Sequence, residues 1–131
     1  MTEIRLGLKG KAEKIVDSTN TARTMGSGSL DVFATPALVA MMEEAAVNAL
    51  GLKDGQSSVG VSLEIKHTSA TPVGLRVWAQ AELIEVDRRR LVFKVEAFDE
   101  TEIIGSGIHE RFLIESEKFM AKVQMKQSRQ E

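Results

Sequence analysis

Residues 35–50, TPALVAMMEEAAVNAL, constrain this chain more than any other stretch. At about 100° per residue on a helix, Ala37, Leu38, Val39, Ala40, Met41, Met42, Ala45, Ala46, Val47 and Ala49 point in nearly every direction. A helix that is apolar all round has to be buried on most of its sides. Its ends are equally legible. Thr35 supplies a capping hydroxyl, Pro36 sits where a first helical position tolerates proline, and Gly51 is a natural stop.

Most of the chain after this helix reads as strand. Val59, Val61, Leu63, Ile65 and His67 alternate with Gly60, Ser62, Glu64 and Lys66, which predicts a half-buried strand with the first set on one face. A turn at residues 71–74 leads to strands over 75–86, 91–98 and 103–114, spaced as an antiparallel meander. Before the helix, residues 11–21 read as a first strand and residues 25–29, MGSGS, as a linker into the apolar run 32–34. Residues 116–131 form a polar, helix-compatible tail. One long helix followed by hairpin-spaced strands is an α+β pattern, expected as a single domain over residues 1–131. A single antiparallel sheet curled around one central helix would bury that helix, with dimerisation covering the remainder. This is the hot-dog arrangement.

Composition narrows the function classes. A length of 131 residues suits one domain, and 43% hydrophobic residues suffice for a core. The formal net charge of −2 offers no basic field for nucleic acid or an anionic membrane. No stretch approaches the roughly 20 apolar residues of a bilayer span, and the N-terminal sequence does not read as a secretory signal. The absence of cysteine excludes disulfides, thiolate metal sites and a cysteine nucleophile, and fits a cytoplasmic location. There is no HExxH, DxDxDG, GxGxxG or Walker-type loop, so no metal and no cofactor is expected.

Chemistry then concentrates in a few residues. Glu44 and Asn48 lie four apart and can look outward together. Glu43 points about 100° away, in line with Val39, Val47 and Leu50. A carboxylate there either sits at a dimer seam, solvated or hydrogen-bonded, or serves as a general base or water-positioning group. His67, at the end of its strand, is either a satisfied structural histidine or a proton-exchanging group, with His109 as second choice. Thr35 is explained as a helix cap, although a helix N-terminus also suits a thioester carbonyl or oxyanion. Arg88-Arg89-Arg90 reads as a solvated turn. Gly60 and the segment Gly105-Ser106-Gly107 mark places where backbone or ligand approaches closely.

Several segments, in order along nearly the whole chain, carry a family resemblance. They are Phe33-Ala34-Thr35 leading to Met42-Glu43, the HTSATP segment at 67–72, IGSGIHER at 104–111, and EKFMAKV at 117–123. Together they resemble the fluoroacetyl-CoA thioesterase family. That resemblance implies a hot-dog fold, a homodimer or higher oligomer, and metal-independent cleavage of an acyl-CoA substrate. Catalytic Thr, Glu and His of the family match Thr35, Glu43 and His67, and Gly60 and Arg111 fall at positions linked to the thioester and the active-site surroundings. One departure stands out. The fluoroacetyl-specific member carries a longer, phenylalanine-bearing segment before the helix, whereas here residues 25–31 are short and hold no aromatic residue before Phe33. The resemblance therefore implies the reaction without the fluoroacetyl selectivity. The alternative is a non-catalytic acyl-CoA-binding hot-dog protein.

Overall fold

The computed structural model describes residues 4–129; the first three residues of the N-terminal stretch and the last two of the polar tail lie outside the described residues. The elements run β1 (Lys9–Ile15), α1 (Ala22–Met25), α2 (Thr35–Leu50), β2 (Gln56–His67), β3 (Arg76–Asp87), β4 (Arg90–Asp99), β5 (Ile103–Glu115) and α3 (Ser116–Ser128). The strands form one antiparallel sheet in the order β1-β3-β4-β5-β2, so β3, β4 and β5 make the expected meander and β1 and β2 are its edges.

Helix α2 lies on one face of that sheet. Leu38, Met41, Met42, Ala45, Ala46, Ala49 and Leu50 are buried there, against Val77, Ala79, Leu83, Phe93 and Val95. The approach is closest at β1. A Cβ on Gly10 would lie 2.2 Å from the Ala45 carbonyl oxygen and 2.3 Å from the Ala49 nitrogen, so only glycine fits. Asn48 Nδ2 donates to the Lys11 carbonyl at 2.8 Å, and Glu44 pairs with Lys14 at 3.2 Å. These two polar residues reach the β1 edge while staying open to solvent, as their shared outward face predicts. The rest of the helix is not covered within one chain. Val39 and Glu43 are half-buried and Val47 is 46% exposed, which leaves an open strip along α2.

Three local expectations change. The first strand ends at Ile15 instead of reaching residue 21. Asp17 and Asn20 turn the chain: Asp17 Oδ1 accepts from Thr19 N at 2.8 Å, and Asn20 Nδ2 donates to the Ile15 carbonyl at 3.0 Å. Met25, expected to open the linker, instead ends the short helix α1, which Gly26 closes in a left-handed conformation at φ 75°. Arg90 belongs to β4, not to a solvated turn, and it bonds Glu85 and Glu110.

The fourth change matters most for the site. Between Gly60 and Ser62 the register of β2 shifts against β5, so Val61 is bulged out. A one-residue slip exchanges the faces of a strand. Gly60 pairs with Arg111, and Leu63 with His109, which places Gly60 on the same face as Leu63, Ile65 and His67. The sequence alternation predicts the opposite face for Gly60. Val61, 56% exposed, leaves the face predicted for it.

The tight contact at β1 yields a direct test. Gly10→Ala must push β1 away from α2 and is expected to cost about 1–3 kcal/mol, the usual range for overpacking. Urea unfolding should show a lower midpoint at unchanged slope. An unchanged midpoint would mean that β1 moves without cost.

Candidate active site

Thr35 is held in place before its helix begins. Phe33 N donates to the Thr71 carbonyl at 2.8 Å and Ala34 N to the Asn20 carbonyl at 2.9 Å. Thr71 itself is buried, its hydroxyl donating to Asp99 Oδ2 at 2.7 Å. Burial alone would raise the Asp99 carboxyl, but hydrogen bonds from Thr101, Thr71 and Glu102 outweigh it and hold the group below the usual carboxylate range. The N-cap of α2 is Ala34, with no side-chain cap, and Thr35 is the first helical residue. Its hydroxyl is thus released from the capping role the sequence suggests. Instead, Thr35 Oγ1 lies 2.8 Å from His67 Nδ1.

His67 is the last residue of β2, and the loop after it is pinned by Thr68 N donating to the Ile104 carbonyl at 2.8 Å. Burial pushes the His67 ring below the ordinary histidine value, partly opposed by a backbone hydrogen bond at Ser69. The neutral ring is therefore the form present near pH 7. Its Nε2 is buried and has no hydrogen-bond partner among the described residues. A buried ring nitrogen without a protein partner is ordinarily met by water or another polar group. Thr35 and His67 border a cavity of about 240 Å³ with Val32, Phe33, Ser27 and Ala70.

Glu43 belongs to a second cluster. Eight residues separate it from Thr35, a rise of about 12 Å along the helix. No hydrogen bond joins it to Thr35 or His67 among the described residues. It is not a lone carboxylate on an apolar stripe either, because Arg111 Nη1 lies 3.4 Å from Glu43 Oε2. The side chain of Glu43 is 41% exposed and that of Arg111 only 7%. Arg111 is anchored from β5 onto β2, with Nε donating to Ser58 Oγ at 2.8 Å and Nη2 to the Ser58 carbonyl at 2.9 Å. Burial lowers the Arg111 guanidinium from its ordinary value, while the Glu43 charge opposes that shift.

Gly60 completes this cluster. A Cβ there would lie 2.8 Å from Glu43 Oε2 and 3.6 Å from Arg111 Nη1, so the missing side chain keeps the carboxylate accessible. An open groove of about 260 Å³ runs over Val39, Glu43, Gly60 and Val61. Sequence reasoning thus names the members of both clusters but not their division, and it misses Ser58. A signal for the second cluster lay in the alternation of His109 and Arg111, which puts both on one strand face.

Residues 16–117 match the family model described as fluoroacetyl-CoA-specific thioesterase, FlK. The chain is 48% identical to the fluoroacetyl-CoA thioesterase of Streptantibioticus cattleyicolor over 98 residues, 73% of this chain and 70% of that protein. A crystal structure of a point mutant of the fluoroacetyl-CoA-specific thioesterase FlK superposes with a TM-score of 0.88 at 39% identity, covering 96% of this chain and 99% of that one. A thioesterase superfamily member from Thermus thermophilus also reaches 0.88, at 27% identity, covering 98% of this chain and 97% of that one. By sequence and by its hot-dog fold, the chain belongs to the FlK family of fluoroacetyl-CoA-specific thioesterases.

Proposed function

We propose that this chain is an acyl-CoA thioesterase that hydrolyses small acyl-CoA thioesters, at a site completed by two copies of the chain in a cytoplasmic homodimer. One observation carries the composite site. Thr35 and His67 form one half with an unsatisfied Nε2, while Glu43, Gly60 and Arg111 form the other, a helix length of about 12 Å away. The open strip around Val39 and Val47 beside the unpaired edge of β2 supports a second copy seated there.

In this reading the thioester carbonyl lies at the start of α2, where first-turn amides have no acceptor within the helix. His67 donates a hydrogen bond from its neutral ring to the oxygen that gains charge, and Thr35 holds the ring by its hydrogen bond. Glu43 from the other copy either attacks the carbonyl carbon or takes a proton from the attacking water. Collapse of the tetrahedral intermediate breaks the C–S bond, and the departing thiolate takes up a proton to give free CoA; where Glu43 attacks directly, a water then cleaves the glutamyl–acyl anhydride, releasing the free acid and restoring the carboxylate. Gly60 leaves room for the thioester, and Arg111 sets positive charge beside the Glu43 carboxylate.

The substrate range follows from what covers the cavity. Residues 26–31 at its mouth are exposed and contain no aromatic ring, with Leu30 64% exposed. That segment offers no aromatic lid to pack against a fluorine atom, and Phe33 is the aromatic residue in the cavity wall. Acetyl- and fluoroacetyl-CoA are expected to differ in kcat/KM by no more than about 200-fold, the upper range for a small apolar difference. A larger preference for fluoroacetyl-CoA would reinstate that selectivity.

Three further measurements bear on the site. Glu43→Gln should lower turnover of a good acyl-CoA at least ~100-fold with the fold intact; near-normal thiol release would remove Glu43 from the chemistry. Mixing Thr35→Ala with Glu43→Gln chains creates mixed dimers with one intact composite site, restoring about a quarter of wild-type activity if exchange is random. A mixture as inactive as its components would place all the groups in one chain. For His67, an unfolded chain takes up the ring proton near pH 6.5, whereas the folded chain does so only at lower pH. Its contribution to stability is then complete above about pH 6.5 and lost as pH falls through the folded value. Ring NMR should accordingly show a His67 midpoint below 6.5, and a midpoint above it contradicts the burial argument.

A further inference from the structure

His109 is 1% exposed, on the same face of β5 as Arg111, and the proposed hydrolysis does not use it. Both of its ring nitrogens are committed. Nδ1 lies 2.8 Å from the Ser62 carbonyl oxygen, and Nε2 lies 3.2 Å from Arg111 Nη1. A carbonyl oxygen can only accept, so Nδ1 carries the hydrogen. A guanidinium nitrogen can only donate, so Nε2 presents its lone pair. We propose that His109 is a positioning residue, fixed as the Nδ1–H tautomer, which holds the Arg111 guanidinium against Glu43. This role rests on the thioesterase reading of the same site.

The geometry explains why Arg111 needs this third support. Its Nε and Nη2 are tied to Ser58, and those two bonds leave the guanidinium free to tilt about the side of Nη1. Nη1 is the nitrogen shared by His109 Nε2 and Glu43 Oε2. Because the bond to Glu43 is long, at 3.4 Å, it cannot set the orientation alone. The shorter contact to His109 does. The bulge at Val61 contributes twice, since it brings Ser62 to the position where its carbonyl meets the ring and turns Gly60 toward the carboxylate.

Protonation would break this arrangement. An imidazolium would aim an Nε2–H at the Arg111 guanidinium. The groups that face the ring are Arg111 on its own strand, Glu43 on α2 and Phe93 on β4, whose ring centroid is 6.3 Å away. Burial lowers the His109 value first and the Arg111 charge adds to it, while the Ser62 bond and the Glu43 charge oppose. With both ring nitrogens committed to Ser62 and Arg111, His109 is placed to hold Arg111 and not to pass a proton to a substrate.

The test combines a spectroscopic and a kinetic readout on the full chain. Long-range proton–nitrogen NMR of histidine-labelled protein should show His109 as the Nδ1–H tautomer from about pH 6.5 upward, the pH at which an ordinary histidine is still about half protonated. An Nε2–H tautomer, or an imidazolium above about pH 6.5, overturns the proposal. Kinetically, His109→Leu should lower kcat about tenfold or more while changing KM less than about threefold, the pattern for a lost transition-state interaction. His109→Gln, which returns an acceptor near the Nε2 position, should recover most of kcat. In an Arg111→Met background, His109→Leu should have less than about a twofold effect, as expected for residues acting in series. Equal losses in both backgrounds, or a folded Gln variant no better than Leu, would reduce His109 to a packing residue. If Arg111→Met does not fold, the tautomer and the Gln–Leu comparison decide. A wild-type chain that releases no thiol from any acyl-CoA ends the thioesterase reading, and the role of His109 with it. Normal wild-type turnover with an unaffected Leu variant ends the inference alone.

Discussion

Strand β1 meets helix α2 at Gly10 with no room for a side chain, and this contact sets how deep the helix sits on the sheet. Ala45 and Ala49 present backbone to β1 at that point, and Asn48 ties the two together by its bond to the Lys11 carbonyl. A helix held so close buries one side completely and leaves the other uncovered. Its position also fixes where Thr35 and Glu43 project, since both side chains are carried by the same rigid rod. Small residues on one side of α2 therefore determine where the polar side chains on its other sides stand.

The two polar clusters differ in how they meet the cost of burial. At Arg111 the cost is met within the chain, because Ser58, His109 and Glu43 occupy the guanidinium's hydrogen-bonding positions. At His67 it is met less fully: Thr35 lies at Nδ1 and the Ser69 backbone opposes the burial shift, while Nε2 makes no well-formed hydrogen bond among the described residues. A satisfied cluster holds a fixed charge in a fixed place. A cluster with an open nitrogen leaves room for a further polar partner. This asymmetry suits a reaction in which a charged residue and a ring must meet a substrate between them.

The β-bulge at Val61 connects the fold to the cluster of Glu43, Gly60 and Arg111. Without it, Gly60 would lie on the far face of the sheet and the inward side chain would be Val61, against the Glu43 carboxylate. With it, glycine faces Glu43 and valine faces outward. Bulges next to functional sites commonly re-aim side chains in this way, and here the change of face is what makes the carboxylate reachable.

Much of this was legible from residues alone. The apolar run 35–50 with Pro36 and Gly51 determined one long helix, and the turn at 71–74 with strands spaced over 75–86, 91–98 and 103–114 determined the meander. Thr35, Glu43, His67 and Gly60 stood out from the residues themselves, and Arg111 was named through the family resemblance. Only the tertiary structure decided which of them meet. Thr35 proved to be bonded to His67 instead of capping its helix, and Glu43 proved to be paired with Arg111 instead of alone. The physical reason is that periodicity encodes which face a residue takes within its own element, while pairing depends on register between elements. A single bulged residue in β2 reverses a face without leaving any mark in the hydrophobic pattern.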